Sequence, residues 1–392
     1  MHPTTPQVTE LVERTRQLVE TTVLPLERSS DGDIERAGGD VVRLELQEAA
    51  RQAGVFAPHA PVEYGGHGLG MVDRAPVFEA AGYSVFGPLA LNIAAPDEGN
   101  VHLLQEIATA EQRERYLAPL ARGEVRSAFA MTEPSPGAGS DPTMLATRAQ
   151  RDGDDWVIDG DKRFITGADG AGFFIVMART SPGDSGATMF LVPGDAPGLS
   201  VGRHITTMDK SMVGGHCEVS FRGVRVPGDA VLGEVDRGFA NAQVRLGPAR
   251  MTHVMRWLGA ARQAHDCALG YVAERQAFGS RLGDLGLAQQ LIADSEIDLA
   301  ATRALLLTAC AALDRGERAS HETSIAKTFG AEAICRVVDR AMQLAGGTGV
   351  SDDLPIARLY REVRPFRVYD GPSEVHRWSI ARRALRRHQA PA

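Results

Sequence analysis

Five short stretches of this sequence hold residue types that could do chemistry, and the last of them holds an acid. V-Y-D-G-P-S-E-V-H-R sets Asp370 just ahead of what reads as the final helix. Gly371 suits an N-cap, Pro372 the first helical position, and Glu374 a capping-box acid. A carboxylate so placed is a candidate general base, and equally a turn acid favoured by the helix dipole. F-A-M-T-E-P-S-P-G-A-G-S-D runs from a strand into a Pro- and Gly-rich loop ending at Ser140 and Asp141, whose amides could approach a flat ring or a phosphate. R-F-I-T-G-A places Phe164 and Thr166 two apart on a strand and so on one face, an aromatic plane beside a hydroxyl. That pair suits a polar heterocycle, as it would an ordinary half-buried strand. E-R-Q-A-F-G offers Arg275, able to fork onto a phosphate, beside Phe278. Q-L-A-G-G-T-G, from Gln343 to Gly349, ends a helix with more glycines than one C-cap needs.

The elements that must position these residues follow from apolar periodicity. Val8, Leu11, Val12, Thr15, Leu18 and Val19 recur at helical spacing, and the helical texture lasts to about Leu120. The glycines of E-Y-G-G-H-G-L-G interrupt it as a loop; no strand precedes them, so they are not a dinucleotide fingerprint. Asn92, Asp97 and Asn100 read as helix-capping residues of a segment near any pocket. Short β-prone runs then follow, with a hairpin turn expected at Asp159-Gly160 and another turn at S-P-G-D-S-G. A stripe of Val254, Trp257, Leu258, Ala261, His265, Ala268 and Val272 reopens the helical texture, which continues to the end. The expected fold is mainly α with a central β domain: a helical domain at 1–126, a β barrel or sandwich at 127–234, and a helical bundle at 235–392.

Composition narrows the partners. The 392 residues, 43% hydrophobic, can bury a large core, and the net charge of −8 argues against nucleic acid or an anionic membrane as partner. The longest apolar run, Ala304 to Leu313, is about half a membrane span, and no leader-like apolar segment opens the sequence, so a cytoplasmic location is expected. Cys217, Cys267, Cys310 and Cys335 lack metal-ligand spacing; free thiols and no metal are expected. The basic run Arg382 to Arg387 reads as a solvated helix end.

In this order the segments resemble the acyl-CoA dehydrogenase family, over almost the whole chain. N-I-A-A-P-D-E-G-N, F-A-M-T-E-P, R-L-G-P-A-R and Y-D-G-P-S-E-V-H are similar to the subgroup of family members 10 and 11. The resemblance implies an N-terminal helical domain, a middle β domain and a C-terminal four-helix bundle, assembled as a homotetramer or homodimer around FAD. It implies that Phe129, Met131 and Thr132 edge the isoalloxazine, that Ser140 lies near the pyrophosphate, and that Phe164 and Thr166 contact the flavin, the hydroxyl at N5. Arg275, Phe278, Gln343, Gly346 and Gly347 match positions holding the adenosine diphosphate portion of FAD bound mainly by a neighbouring subunit.

Asp370 matches the catalytic base, one methylene shorter than the family's usual Glu, and Pro372 replaces the usual Thr. Arg250, Tyr369 and Gly371 fall at positions expected along the substrate. The implied reaction is α,β-dehydrogenation of an acyl-CoA thioester to a trans-2-enoyl product, with electrons passed to electron-transfer flavoprotein. Desolvation by the flavin, Tyr369 and the acyl chain is expected to raise the Asp370 pKa against a helix dipole that lowers it. The alternatives are an oxygen-using relative, acyl-CoA oxidase or nitroalkane-oxidase-like, and a flavin-free acyl-binding scaffold.

Overall fold

The structure is a computed structural model that describes residues 5–183 and 186–389. Four longer helices build the first third: α1 (Pro6–Leu18), α2 (Asp40–Gln52), α3 (Met71–Ala81) and α4 (Asp97–Ile107). In α1 the expected stripe is buried, and the Thr5 hydroxyl caps the helix by accepting from the Val8 N–H at 3.3 Å. The glycine-rich stretch before α3 is loop, without a preceding strand.

Eight strands form one mixed sheet: β1 (Ser127–Ala130), β2 (Arg148–Asp152), β3 (Asp155–Thr166), β4 (Phe173–Arg179), β5 (Ala187–Pro193), β6 (Leu199–His204), β7 (His216–Pro227) and β8 (Val231–Leu232). Their order is β6-β7-β3-β2-β4-β5-β8, with β1 parallel beside β4. F-F-I-V-M-A reads as an unbroken apolar run because β4 is covered on both faces. Phe173, Ile175 and Met177 join the core shared with the helices, whereas Phe174 and Val176 belong to a second core with Trp156, Ile158, Val219 and Phe221 of β3 and β7.

The hairpin expected at Asp159-Gly160 is not there. Both residues lie inside β3, where the pairing with β7 slips between Ile158 and Gly160. Gly160 has φ +155°, and a Cβ on it would stand 2.5 Å from the Thr147 hydroxyl, so this glycine serves a bulge and a close approach. The chain reverses instead at Gly153, between β2 and β3. The turn expected at S-P-G-D-S-G includes residues 184 and 185, which lie outside the described residues.

The last third contains α5 (Gly238–Glu274), a small hairpin of β9 (Gln276–Ala277) and β10 (Ser280–Arg281), then α6 (Gly286–Asp314), α7 (Ser320–Gly349), α8 (Ile356–Val363) and α9 (Ser373–Gln389). Helix α5 packs on α6 and α7 on one side and on α3 and α4 on the other. Every residue from Met251 to Ala261 is therefore buried, and the helix is covered all round. Polar side chains on such a helix have no solvent to face, so they must meet partners inside the protein. Among the described residues, no helix is long and apolar enough to cross a membrane, and no His, Cys, Asp and Glu cluster could hold a metal ion.

Candidate active site

Asp370 stands in the short link between α8 and α9 with φ +53°, and Gly371 follows with φ +91°. A left-handed conformation costs a non-glycine residue strain, least for Asp and Asn, and persists only where surroundings enforce it. Three donors from three helices do so here. Arg250 Nε of α5 donates to the Asp370 carbonyl at 2.9 Å, Lys327 Nζ of α7 to the Gly371 carbonyl at 2.6 Å, and His376 Nε2 of α9 lies 3.1 Å from the Asp370 carbonyl. A side chain at 371 would meet His376 Nε2 at 2.8 Å, which is why glycine follows the acid. Helix α9 starts one residue later than expected: the His376 N–H reaches the Pro372 carbonyl and Ser373 is the first helical residue, so Pro372 takes the cap position.

The Asp370 carboxylate faces α5. His253 Nε2 lies 3.2 Å from Oδ2, within ion-pair reach, yet the alignment is outside hydrogen-bond geometry and Oδ2 has no hydrogen-bond partner among the described residues. Arg256 Nη2 lies 2.8 Å from His253 Nδ1 and can only donate, so Nδ1 accepts and Nε2 carries the proton facing the carboxylate. Burial, then Arg256, lowers the His253 pKa and keeps the ring neutral. Without the added desolvation of flavin and acyl chain, the balance at Asp370 runs downward. Burial does push the carboxyl up, but His253 and the guanidinium groups of Arg245 and Arg250 outweigh it and hold the acid well below the usual carboxylate range. The side chain keeps 18% of its surface accessible. Tyr369 closes one side: its hydroxyl accepts from Trp257 Nε1 at 2.6 Å, and its ring packs against His253 and Phe366.

Arg245 connects this acid to the β domain. Its guanidinium lies 4.2 Å from the centre of the Phe129 ring, and Nε donates to Asn100 Oδ1 at 2.8 Å. Asn100 in turn donates to the Ser127 hydroxyl, and Asp97 accepts from that hydroxyl and from the Ser127 N–H. Asn92 donates to the Leu120 and Ala121 carbonyls. These three residues thus act as cross-links within the core, not as the helix caps expected of them.

Met131 and Thr132 lie against the strand that carries Phe164 and Thr166. The Arg163 N–H donates to the Thr132 carbonyl at 2.9 Å, and Lys162 Nζ reaches the Met131 carbonyl at 3.1 Å. Phe164, with φ +57°, sits at a second slip of the β3–β7 pairing and exposes 49% of its surface, while Ile165 is buried and Thr166 is again half-buried. Half-buried Met131, Thr132 and Thr166 thus lie near an exposed Phe164 on adjoining backbone. Two threonines beside an exposed aromatic ring fit a flat, polar ring system.

The other expected cofactor residues lie elsewhere in the chain. Ser140 is exposed on the loop after β1. Arg275, Phe278, Gln343, Gly346 and Gly347 are exposed at one end of the helical bundle, where the Thr348 hydroxyl lies 3.5 Å from that of Tyr271. Arg250 and Tyr271 share one helix, so at ~1.5 Å per residue this end is about 30 Å from Asp370. Phe278 and Gly279 have φ +53° and +81° at the tip of the β9–β10 hairpin, and the Phe278 ring is 93% exposed.

Arg245, His253, Arg256, Lys327 and His376 are not among the residues expected at the site. Arg245, His253 and Arg256 share α5 with Arg250, and no spacing in the sequence singled them out.

Comparisons with known proteins agree with this geometry. Residues 5–124 match the acyl-CoA dehydrogenase N-terminal domain, residues 128–224 the middle domain and residues 236–385 the C-terminal domain. A probable acyl-CoA dehydrogenase, FadE2, from Mycobacterium tuberculosis is 41% identical over 88% of this chain and 86% of its own length. Acyl-CoA dehydrogenase family member 11 of Mus musculus is 36% identical over 96% of this chain, which spans 50% of that longer protein. The structure of a putative acyl-CoA dehydrogenase from Mycobacterium abscessus superposes with a TM-score of 0.90 at 37% identity, covering 98% of this chain and all of the other. The chain belongs to the acyl-CoA dehydrogenase family, flavoprotein oxidoreductases whose cofactor is FAD.

Proposed function

We propose that this protein dehydrogenates an acyl-CoA thioester between its α and β carbons, with Asp370 as the base that takes the α-proton. The observation that carries the assignment is Asp370 Oδ2, buried and without a hydrogen-bond partner among the described residues, in a backbone conformation that the fold enforces. When bound, FAD supplies an acceptor for the β-hydrogen as hydride at N5. Met131, Thr132, Phe164 and Thr166 would hold the ring.

Asp370 is a weak base in the surroundings described, so the α-proton must itself become acidic. Among the described residues, neither the Asp370 nor the Gly371 N–H donates a hydrogen bond, and the left-handed turn leaves these amides available to a thioester carbonyl whose oxygen gains charge as the proton leaves. The same cations that hold Asp370 ionised favour that developing negative charge. Once the carboxylate is protonated, His253 remains neutral and Arg245 and Arg250 remain cationic, so an enolate-like group is stabilised where the proton was lost. Tyr369, Trp257 and Phe366 keep water from the acid.

The exposed set at the far end of the bundle supports a shared cofactor. Arg275, Phe278, Gln343, Gly346 and Gly347 are about 30 Å from the acid of their own chain, a placement suited to a neighbouring subunit's FAD in a homodimer or homotetramer. Electron-transfer flavoprotein is the proposed acceptor. The test is the anaerobic visible spectrum of the holoenzyme against short, medium, branched and long acyl-CoAs. Bleaching of the oxidised flavin by particular thioesters is expected, and its absence with Asp370→Asn at unchanged FAD content. Bleaching at the wild-type rate in that variant removes Asp370 from the role.

A further inference from the structure

Thr166 and His216 are directly opposite each other in the β3–β7 pairing, and Thr166 Oγ1 lies 2.9 Å from His216 Nδ1. On its other side, His216 Nε2 lies 2.7 Å from Asp209 Oδ2. The His216 and Asp209 side chains keep 16% and 8% of their surface, so the line of three groups is largely shielded from water. Contacts of the flanking residues hold the line in place. The His216 carbonyl accepts from the Ile205 N–H at 2.7 Å, and the Gly167 N–H donates to the Gly215 carbonyl at 2.8 Å. Asp209 precedes Lys210 and Ser211, both of which are clamped by Glu362 of α8: the Lys210 N–H and the Ser211 hydroxyl each donate to its carboxyl at 2.6 Å. Burial, then Asp209, pushes the Glu362 pKa up to about 8, so it is protonated at neutral pH and leaves Asp209 as the charged acid of the pair.

We propose that Asp209 and His216 are positioning residues that fix the direction in which the Thr166 hydroxyl points, and so tune the reduction potential of the flavin it contacts. The proposal rests on the placement of Thr166 at flavin N5 given above. Asp209 accepts the Nε2 proton, so in the neutral ring Nδ1 is bare and accepts the Thr166 hydroxyl proton. Oγ1 then turns its lone pairs outward. An outward lone pair suits an N–H and opposes a bare nitrogen. The oxidised ring presents N5 as an acceptor and the reduced ring presents it as an N–H donor, so the relay favours the reduced cofactor and raises its potential. Nothing in sequence spacing separates His216 from a surface histidine; the cross-strand register supplies the assignment.

The test is a dye-equilibrated redox titration of the holoenzyme, with FAD content and visible spectrum recorded, for wild type, Asp209→Asn, Thr166→Val and the double variant. An asparagine would donate to Nε2 and force the other tautomer, so Nδ1–H donates to Thr166 and the hydroxyl must point outward as a donor. The equilibrium should shift toward the oxidised cofactor on the order of tenfold, about 30 mV for a two-electron couple. Removing the Asp209 charge alone would shift it the opposite way, toward the more anionic reduced state. A fall that disappears in the Thr166→Val background supports the relay. An unchanged or raised potential, or a fall that persists without the hydroxyl, overturns it. Should Asp209→Asn fail to retain FAD, His216→Ala carries the same expectation, because the freed hydroxyl can donate outward. The titration uses no acyl substrate, so a shift in a protein that no acyl-CoA bleaches would leave the relay standing and remove the proposed reaction instead.

Discussion

Glu133, on the loop after β1, has both carboxylate oxygens occupied: Ala138 and Ala146 N–H groups on Oε2, and the Thr147 N–H with Lys162 Nζ on Oε1. Burial raises its pKa, but Lys162 and these amides overcome it and hold the acid below its ordinary range. Even the loop backbone is adapted to it, since a side chain at Gly137 would lie 2.4 Å from Oε2. Asp370 is also held ionised, yet among the described residues Oδ2 accepts no hydrogen bond, its backbone is left-handed, and the cations around it act mostly at longer range. An acid with all its lone pairs engaged is a strut, because nothing further can bind it without breaking the fold. An acid stabilised by field and left unbonded can accept a proton at little structural cost. On this contrast we propose a structural part for Glu133 of the T-E-P segment and a chemical one for Asp370.

The strongest way to break this contrast is to neutralise each acid in turn. Asp370→Asn should slow acyl-CoA-driven flavin reduction by at least about 10³-fold, the scale of a lost general base. Asn tolerates the left-handed backbone, so its thermal midpoint should remain near wild type. Glu133→Ala leaves the Lys162 ammonium buried without its acid, which should cost roughly 3–5 kcal/mol of stability in denaturant titrations. Replacing Lys162 by Met in the same protein should recover part of that loss. If instead Asp370→Asn unfolds the protein and Glu133→Ala only slows it, the two assignments exchange places.

Legibility differed between these two acids for a physical reason. The turn that carries Asp370 was readable because a helix start, a glycine and an acid fall together in D-G-P-S-E, and the apolar stripes of α1 and α5 were readable because one period governs them. The strut role of Glu133 was not, since its partners come from residues 138 to 162 on a folded-back loop and a neighbouring strand. His253, Lys327 and His376 were hidden for the same reason: each reaches the 370–371 turn from a different helix, and only packing brings those helices together. The cations that converge on Asp370 were hidden too, because no local pattern records which guanidinium groups packing brings together. Asp159-Gly160 failed because a dipeptide suited to a turn is equally suited to a bulge.

A third buried acid sharpens the comparison with a smaller effect. Glu362 is kept protonated, with its pKa raised to about 8 by burial and Asp209. Its unfolded form loses the proton near the ordinary Glu value of about 4.3. Between these values the folded state binds a proton that the unfolded state does not, so this contribution to stability is full at the acid end and is lost as pH rises toward 8. The slope is at most about 1.4 kcal/mol per pH unit. Glu362→Gln should flatten it, leaving stability at pH 5 nearly unchanged and raising it at pH 8, as measured by denaturant titration at both.

The mildest perturbation is Arg250→Gln. It removes one of the cations that hold Asp370 down, together with the 2.9 Å hydrogen bond to the Asp370 carbonyl. The carboxyl pKa should therefore rise toward its ordinary range, and the acid limb of the kcat/KM profile, which reports the free enzyme, should move to higher pH. At pH 7 the acid is ionised in both proteins, so the rate of flavin reduction should change by less than about tenfold, with the loss coming from the displaced turn and a weaker field on the enolate. Arg250→Lys keeps the charge without the guanidinium geometry, and its acid limb should stay close to wild type while the rate still falls. If the limb moves equally in both variants, the turn geometry and not the field sets the basicity of Asp370, and the distinction from Glu133 rests on the unbonded Oδ2 alone.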